Sequence, residues 1–467
     1  MADFNVFETA ISALNANAKA LSVASQNIAN ANTPGYSRQR VVIQSNESQI
    51  VGGIEIGRGA SVTSVERVVD NFAELRLRDT SSTQSESKVT SDSIAQAGTL
   101  FNELSSDGLS TYLSNFFSSF QDVANDPQAS GARQDLLSKA SIMVDRFHSL
   151  SQGLKDIRTS LDTQIKDNVD KINTLAQDIY KLNQKINDAP DALTLKDERN
   201  AKVQELSGLT DVSTVENGSG TFQVYIANGM LLVNDTGTAT LSTLPNAGNA
   251  GLSDINFTPS PGAASTNISS RFQTGAIKGL MDVRDTNIPA YQSNLDELAY
   301  RLSGAVNTLH TTGYDLDGNH NQRFFTNLAS STDAAASIAL DPVVDGHPRA
   351  IAASGSSGGV PGGNDMALQL SALSSSNVAF GSGSTTFGAF YGNLLAQVGS
   401  DGKSAQSNAQ FSDDVFQQAQ AQRDQISGVS MDEEQTNLLK YQAAFQAASR
   451  LVSIASTLFD TLINLGK

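Results

Sequence analysis

Apolar residues at both ends of the chain recur in alternating steps of three and four. Near the start, Phe4, Phe7, Ile11, Leu14, Ala18, Leu21 and Ile28 form such a series, with only Ser25 out of character. This is the a/d stripe of nearly four heptads, and no Gly or Pro interrupts it before Pro34-Gly35. A helix of about 28 residues is about 42 Å long. At the other end, Ser430-Met431-Asp432-Glu433 has the S-x-x-E form of a capping box. Leu438, Tyr441, Phe445, Ala448, Val452, Ala455, Phe459 and Leu462 then step by three and four, and a second stripe runs through Leu451, Ile454, Leu458 and Leu465. A helix apolar on more than one side needs more than one neighbour. Both heptad stripes are bounded by breaks, at Pro34-Gly35 and Ser427-Gly428. The simplest arrangement pairs the two terminal helices as one module away from the main body. The blander alternative packs each on its own adjacent domain. A lone pair leaves apolar surface exposed, so other subunits are expected to cover it.

The middle of the chain predicts a rod. Leu136, Ala140, Met143, Phe147, Leu150, Leu154, Ile157, Leu161, Ile165, Val169, Ile172, Leu175, Ile179, Leu182 and Ile186 line one side of a segment from Arg133 to Asn187. One continuous helix there is on the order of 80 Å long, too long for an ordinary compact domain. A further heptad runs Ile288, Tyr291, Leu295, Leu298, Leu302, Ala305 and Leu309, and a weaker helix carries Phe411, Val415, Ala419 and Ile426. Short β-type runs follow the first break, at 40–43, 53–56 and 60–65. From about Val68 the pattern turns helical, but Thr80 to Lys88 keeps no clear stripe.

Between the long helix and the later heptad the period changes to two. Phe222–Ile226 and Met230–Val233 flank Ala227-Asn228-Gly229, a strong hairpin signal. The stretch 329–405 reads as loop, with short strands at Ile338–Leu340 and Val343-Val344 and a short helix from Met366 to Leu373. The expected fold class is mainly α with inserted β: terminal coiled-coil helices, a long antiparallel helical-bundle rod with short strands, and a small β domain. The corresponding boundaries are 1–36 plus 430–467 for the terminal coiled coil, 37–210 plus 277–429 for the rod, and 211–276 for the β domain.

Composition narrows the function. Acids outnumber bases 48 to 31 in 467 residues, a net charge of −17. Phosphate binding needs a basic surface, so duplex nucleic acid is disfavoured, as is docking on an anionic membrane. There is no cysteine, which excludes disulfides, thiolate metal sites and a cysteine nucleophile. Asp3 and Glu8 stand where a secretory signal carries basic residues. No cofactor, metal or catalytic set is expected. Gly355-Ser356-Ser357-Gly358-Gly359 matches G-x-S-x-G literally but lies in a Gly/Ser stretch. Asp315-x-Asp317-Gly318-Asn319 misplaces the glycine of a calcium loop and has Thr326 at its twelfth position, so it reads as a turn. His310 and His320 lack a carboxylate or Cys pattern to complete a metal site.

The segment Asn27 to Gln39 contains Asn30, Thr33, Pro34, Gly35 and Tyr36 and resembles the N-terminal signature of the flagellar axial proteins, with their A-N-x-x-T-P-G-Y core. The continuation Tyr36-Ser37-Arg38-Gln39 is closest to the hook-associated branch of that family. Gly57-x-Gly59-x-x-Val62-x-x-Val65-x-Arg67-x-x-Asp70, Gly313 to Asn319 and Ser427 to Glu434 resemble it too. Pro34 fixes φ and Gly35 accepts a positive φ, so the pair suits a type II turn that ends the helix sharply. Tyr36 reads either as a cap on the bundle end or as a plain turn-flanking aromatic.

The resemblance implies a structural subunit of the bacterial flagellum. It implies a ring of about eleven copies between the hook protein and a second hook-associated protein, with the terminal helices lining the inner tube. It also implies secretion by the flagellar type III pathway without a cleaved signal peptide, and a flagellar export chaperone on the C-terminal helix. An outer domain common in the family has too little chain here, in 329–405, to be expected. The alternatives are another axial subunit, of hook or filament, and a secreted adhesin or enzyme on a helical stalk.

Overall fold

The computed structural model describes residues 2–51, 54–101, 108–218, 220–381 and 383–465. Helix α1, Ala2–Ala29, is followed by a long antiparallel hairpin. Strands β1, Gln39–Ser45, and β4, Ala60–Arg67, form its base, and β2, Gln49–Val51, and β3, Ile54–Ile56, its far end. Helix α2, Asn71–Leu100, begins on Asp70, whose side chain caps the amides of Phe72 and Ala73. Helix α3 covers Leu109–Asn125.

Helix α4, Ser130–Asp188, is the spine of the molecule. Its 59 residues span about 88 Å at 1.5 Å each. Every residue of the apolar stripe predicted for it is buried, so one unbroken face organises the core. Helix α5, Leu193–Leu209, returns along it.

Two small antiparallel sheets then pack on α4. The first runs β5–β6–β7–β8: Val212–Glu216, Phe222–Ile226, Met230–Asn234 and Gly237–Thr238. The predicted hairpin turn is present, with Ala227, Asn228 and Gly229 all at positive φ. The second sheet contains β9, Thr240–Pro245, β10, Ser253–Thr258, and β11, Thr266–Asn267. Their inward residues, among them Val224, Val233, Leu241, Ile255 and Phe257, join the core of α4. Polar residues of α4 hold the backbone of these strands. Asn183 bonds both the N–H and the C=O of Phe222, at 3.1 and 2.7 Å. Asn173 does the same to Leu241, both at 2.8 Å. Asp162 accepts from the Ser253 amide at 2.7 Å and pairs with buried Arg284 at 2.7 Å.

Helix α6, Ala276–Asp282, passes through a π turn at Val283–Asn287 into α7, Ile288–His310. Helix α8, Ala334–Ser337, helix α9, Asp365–Ala372, and the hairpin β12–β13, Val378–Phe380 and Gly383–Thr385, follow. Helix α10, Phe387–Ser427, lies antiparallel to α2, and α11, Met431–Leu465, lies against α1.

Two expectations need correction, and the stripeless stretch within α2 has a structural reason. Residues 387–405 are helix, not loop. Phe387, Tyr391, Leu394, Val398 and Ala405 are all buried on one face, and that packing outweighs the helix-weakening glycines at 388, 392, 399 and 402. The strands expected at 338–340 and 343–344 reduce to one bridge, Phe325 to Leu340, and a turn. Thr80 to Lys88 remains helical without an apolar stripe because its seam is small and polar. Ser87 meets Ser412 at 3.0 Å and Gln84 donates to Asp413 at 3.2 Å.

Candidate functional site

The two ends of the chain do come together. Asn27, near the end of α1, donates to Glu434, in the first turn of α11, so the two helices run antiparallel. Helix α11 starts as its capping box predicts, with the Ser430 hydroxyl accepting from the Glu433 amide at 3.4 Å.

On α11 the first stripe faces inward. Ala448 and Ala455 are buried, and Leu438, Tyr441, Phe445 and Val452 are half-buried. The second stripe has no cover: Leu451, Ile454 and Leu458 are 50, 57 and 53% exposed, and Phe459 at the end of the first stripe is exposed too. On α1 the buried residues are not the predicted heptad. Among the described side chains of α1 they are Ala10, Ala16, Ala20, Val23, Ala24 and Asn27, small side chains that admit both α11 and the β1–β4 hairpin. Of the predicted stripe, Leu14, Leu21 and Ile28 are half-buried and Phe7 and Ile11 are exposed. The side chains of Phe4, Leu462 and Leu465 lie outside the described residues.

The signature segment is a turn joined to a polar knot. The Tyr36 amide donates to Thr33 O at 3.2 Å, and Gly35 has φ +79°. This is the type II turn expected of Pro34-Gly35. Thr33 and Pro34 are exposed, and Asn30 bonds its own helix at Gln26 O. Tyr36 turns inward, is buried, and donates to Asn27 Oδ1 at 2.9 Å. That same oxygen accepts from the Gln39 amide at 2.9 Å, while Asn27 Nδ2 donates to Gln39 O at 2.9 Å and Glu434 Oε2 at 3.1 Å. All four hydrogen-bonding valences of one buried amide are filled. Burial, aided by the negative charges of Asp197 and Glu434, pushes the Tyr36 hydroxyl up to about 12, so it remains a donor.

Around this knot the body grips the terminal pair. Arg38 pairs with Glu433 at 2.6 Å and buried Glu434 at 2.8 Å, and its amide donates to Ser427 O. Arg67 pairs with Asp197 at 2.9 Å, and burial still holds that carboxyl above its ordinary range. Arg423 bridges Glu74 at 3.1 Å and Gly35 O at 3.2 Å. The sequence reading did not single out Asn27, Arg38, Glu74, Asp197, Arg423 or Glu434 as site residues. Only Asn27, Arg38 and Glu434 lie in segments that carried a motif.

The apparent catalytic and metal motifs have other uses. Ser357 opens a single 3-10 turn. Asp315 accepts from its own loop at Asp317 N and Asn319 N, both at 2.8 Å, and Asp317 pairs with Arg349. Buried His310 bonds Gln322 O through Nδ1 at 2.7 Å and accepts from the Ala352 amide on Nε2 at 3.0 Å. Burial lowers it to about 4, so the ring is neutral and both nitrogens are engaged. Among the described residues no group of three or more His, Asp or Glu is placed to hold a metal ion, and no helix is long and apolar enough to cross a membrane.

Comparison with known proteins agrees with this arrangement. The family model for the flagellar hook-associated protein FlgK helical domain matches residues 94–325. The two ends match models of axial proteins: a flagella basal body rod protein over 7–36, and the flagellar basal body rod FlgEFG protein C-terminal region over 420–465. Flagellar hook-associated protein 1 of Bacillus subtilis is 26% identical, covering 99% of this chain and 98% of its own. The chain belongs to the flagellar hook-associated protein 1 family. The family's Escherichia coli K12 member is 25% identical, covering 99% of this chain and all of its own. That alignment runs over 550 positions against 467 residues here, so the E. coli member carries insertions that this chain lacks. The fold is shared with the flagellar hook junction protein FlgK of Burkholderia pseudomallei, at a TM-score of 0.65 and 18% identity over 74% of this chain and 99% of the other.

Proposed function

We propose that this chain is the subunit that joins hook to filament in the bacterial flagellum and that it assembles through its terminal helices. The observation that carries the assembly step is the bare second stripe of α11 beside exposed Phe7 and Ile11. Exposed apolar surface on this scale marks an interaction site, and a closed ring of like subunits covers it. In this reading 1–36 plus 430–467 forms the inner tube, 37–210 plus 277–429 the rod wall, and 211–276 an outward β domain. About eleven copies form the ring, between the hook protein and a second hook-associated protein. The chain leaves the cell by the flagellar type III route, and an export chaperone covers Leu451, Leu458 and Phe459 until then. Its role is mechanical and involves no catalysis.

The test is a strain lacking this chain. Cells that keep hooks and release filament subunit into the medium support the junction role, and cells with normal filaments refute it. Deleting 430–467 should block incorporation and leave a protease-resistant body. A resistant core that retains both termini in the intact monomer would contradict the assembly step.

A further inference from the structure

The far end of the long hairpin and the foot of the rod are both apolar, both uncovered, and set apart on one molecule. The base of the hairpin is tied to the joint, where Gln39 meets Asn27. It then runs beside α1 toward the N-terminus. Arg58 reaches Glu8 at 3.1 Å, and Gly59, at φ +82°, lies so near Thr9 and Ser12 that no side chain fits. Strands β2 and β3 continue the hairpin beyond that point, on the order of 20 Å further at strand rise. Ile50 and Ile54 there are 75 and 69% exposed. A two-stranded ribbon is marginal in water without something to pack on.

The second surface lies where α2 and α10 leave the joint. Arg76 of α2 donates to Gln422 of α10. One turn further along each antiparallel helix come Phe72 and Ile426, on the same sides as that pair. Phe72 is 77% exposed, and Leu75 and Ile426 beside it are exposed too. From Asn27 to Glu8 is about 28 Å along α1, so the two surfaces sit at opposite ends of the terminal module. Two different patches at opposite ends of one subunit suit a head-to-tail contact between copies. Their charges match as well. Glu55 sits directly across from Ile50 in the hairpin, Arg76 sits beside Phe72, and neither makes an ion pair among the described residues.

We infer that the β2–β3 hairpin of one copy docks on the Phe72–Leu75–Ile426 surface of a second copy, with Glu55 against Arg76. This rests on the assembly proposed above and adds a contact outside the terminal helices. The chain has no cysteine, so an engineered pair gives an unambiguous cross-link. The full-length double variant Ile50→Cys, Phe72→Cys, with Ile50 on the same face of the hairpin as Glu55, supplied to a strain lacking the wild-type chain, should yield disulfide-linked multimers of this chain in isolated flagella after mild oxidation. Each single variant should yield none. Incorporated protein without a cross-link, an intramolecular link, or a link to a different flagellar protein overturns the contact. Glu55→Arg and Arg76→Glu should each lower incorporation at least tenfold, and the two together should restore it. Equal loss in the double variant also overturns it. Wild-type protein that never enters the flagellum sinks the functional reading instead.

Discussion

Replacing Asn27 by Ala tests the polar joint directly. The substitution removes two donors and two acceptors at once. It strands the Tyr36 hydroxyl, the N–H and C=O of Gln39, and one oxygen of Glu434, all in buried residues. Leaving a buried polar group unsatisfied costs about 1–3 kcal/mol. Arg38 still holds the other Glu434 oxygen, and a water entering the space left by the amide satisfies part of the rest. The net expected loss is about 3 kcal/mol, on the order of a 100-fold rise in local opening. The loss belongs to the joint, since α4 and its core lie outside the knot. The assay is therefore native-state hydrogen exchange on the full chain, followed at 38–45 and 431–440, with 140–180 as internal reference. Asn27→Asp keeps the acceptor but sets a carboxylate against Glu434, so it should be no milder. Protection at 38–45 within about twofold of wild type, or equal loss in α4, would refute the reasoning.

The other expectations concern the turn, the bare stripe and one buried acid. Gly35→Ala forces a Cβ into a backbone at φ +79° and brings it 3.4 Å from that of Ala201; about 1–2 kcal/mol should appear as faster proteolysis at the joint, and an unchanged rate contradicts it. The triple variant Leu451→Ser, Ile454→Ser, Leu458→Ser alters side chains already half in water, so urea melts should move by less than about 1 kcal/mol while flagellar incorporation is lost; retained incorporation removes the stripe from the interface. Burial lifts the Asp296 carboxyl to about 6, although it accepts from the Ala335 amide at 2.8 Å. Its folded value lies above its unfolded one, so ionising it costs stability as pH rises from about 4 to about 6. Asp296→Asn should therefore gain on wild type by about 2–3 kcal/mol between pH 4 and pH 7, and a constant difference in paired urea titrations excludes the effect.

The parts legible from sequence are those where one kind of residue does one job. Helix α4 was readable because a single unbroken apolar face meets the core for its whole length, with all predicted stripe residues buried. The hairpin at 222–234 and the Pro34-Gly35 turn were readable because positive φ narrows the choice of residue. The first half of α10 was not, because small and glycine residues between Phe387 and Val398 hide a face that only its neighbours define. The joint was illegible for a different reason. Its partners sit far apart in sequence, Glu74 with Arg423 and Asn27 with Glu434, and an isolated Arg or Asp on a polar helix face carries no local sign of its mate.

The error on α1 says most about how the terminal pair works. A heptad of large residues was expected to form the seam, yet the buried residues among the described side chains of α1 are mostly alanines, Ala10, Ala16, Ala20 and Ala24, and those of the α11 stripe are Ala448 and Ala455, while Leu14, Leu21, Ile28, Leu438, Tyr441, Phe445 and Val452 are half-buried. Alanine buries little area, at roughly 25 cal/mol per Å², so these buried positions contribute modestly. The larger side chains, Phe7, Ile11, Leu451, Ile454 and Leu458, are left facing out. Had those residues filled the seam, the pair would be satisfied alone and would have nothing left to offer a neighbour. The fully buried positions are small and the most exposed ones are large. The polar joint at Asn27 fixes where the pair leaves the rod, and in the proposed assembly the exposed stripe contributes its free energy when another subunit covers it.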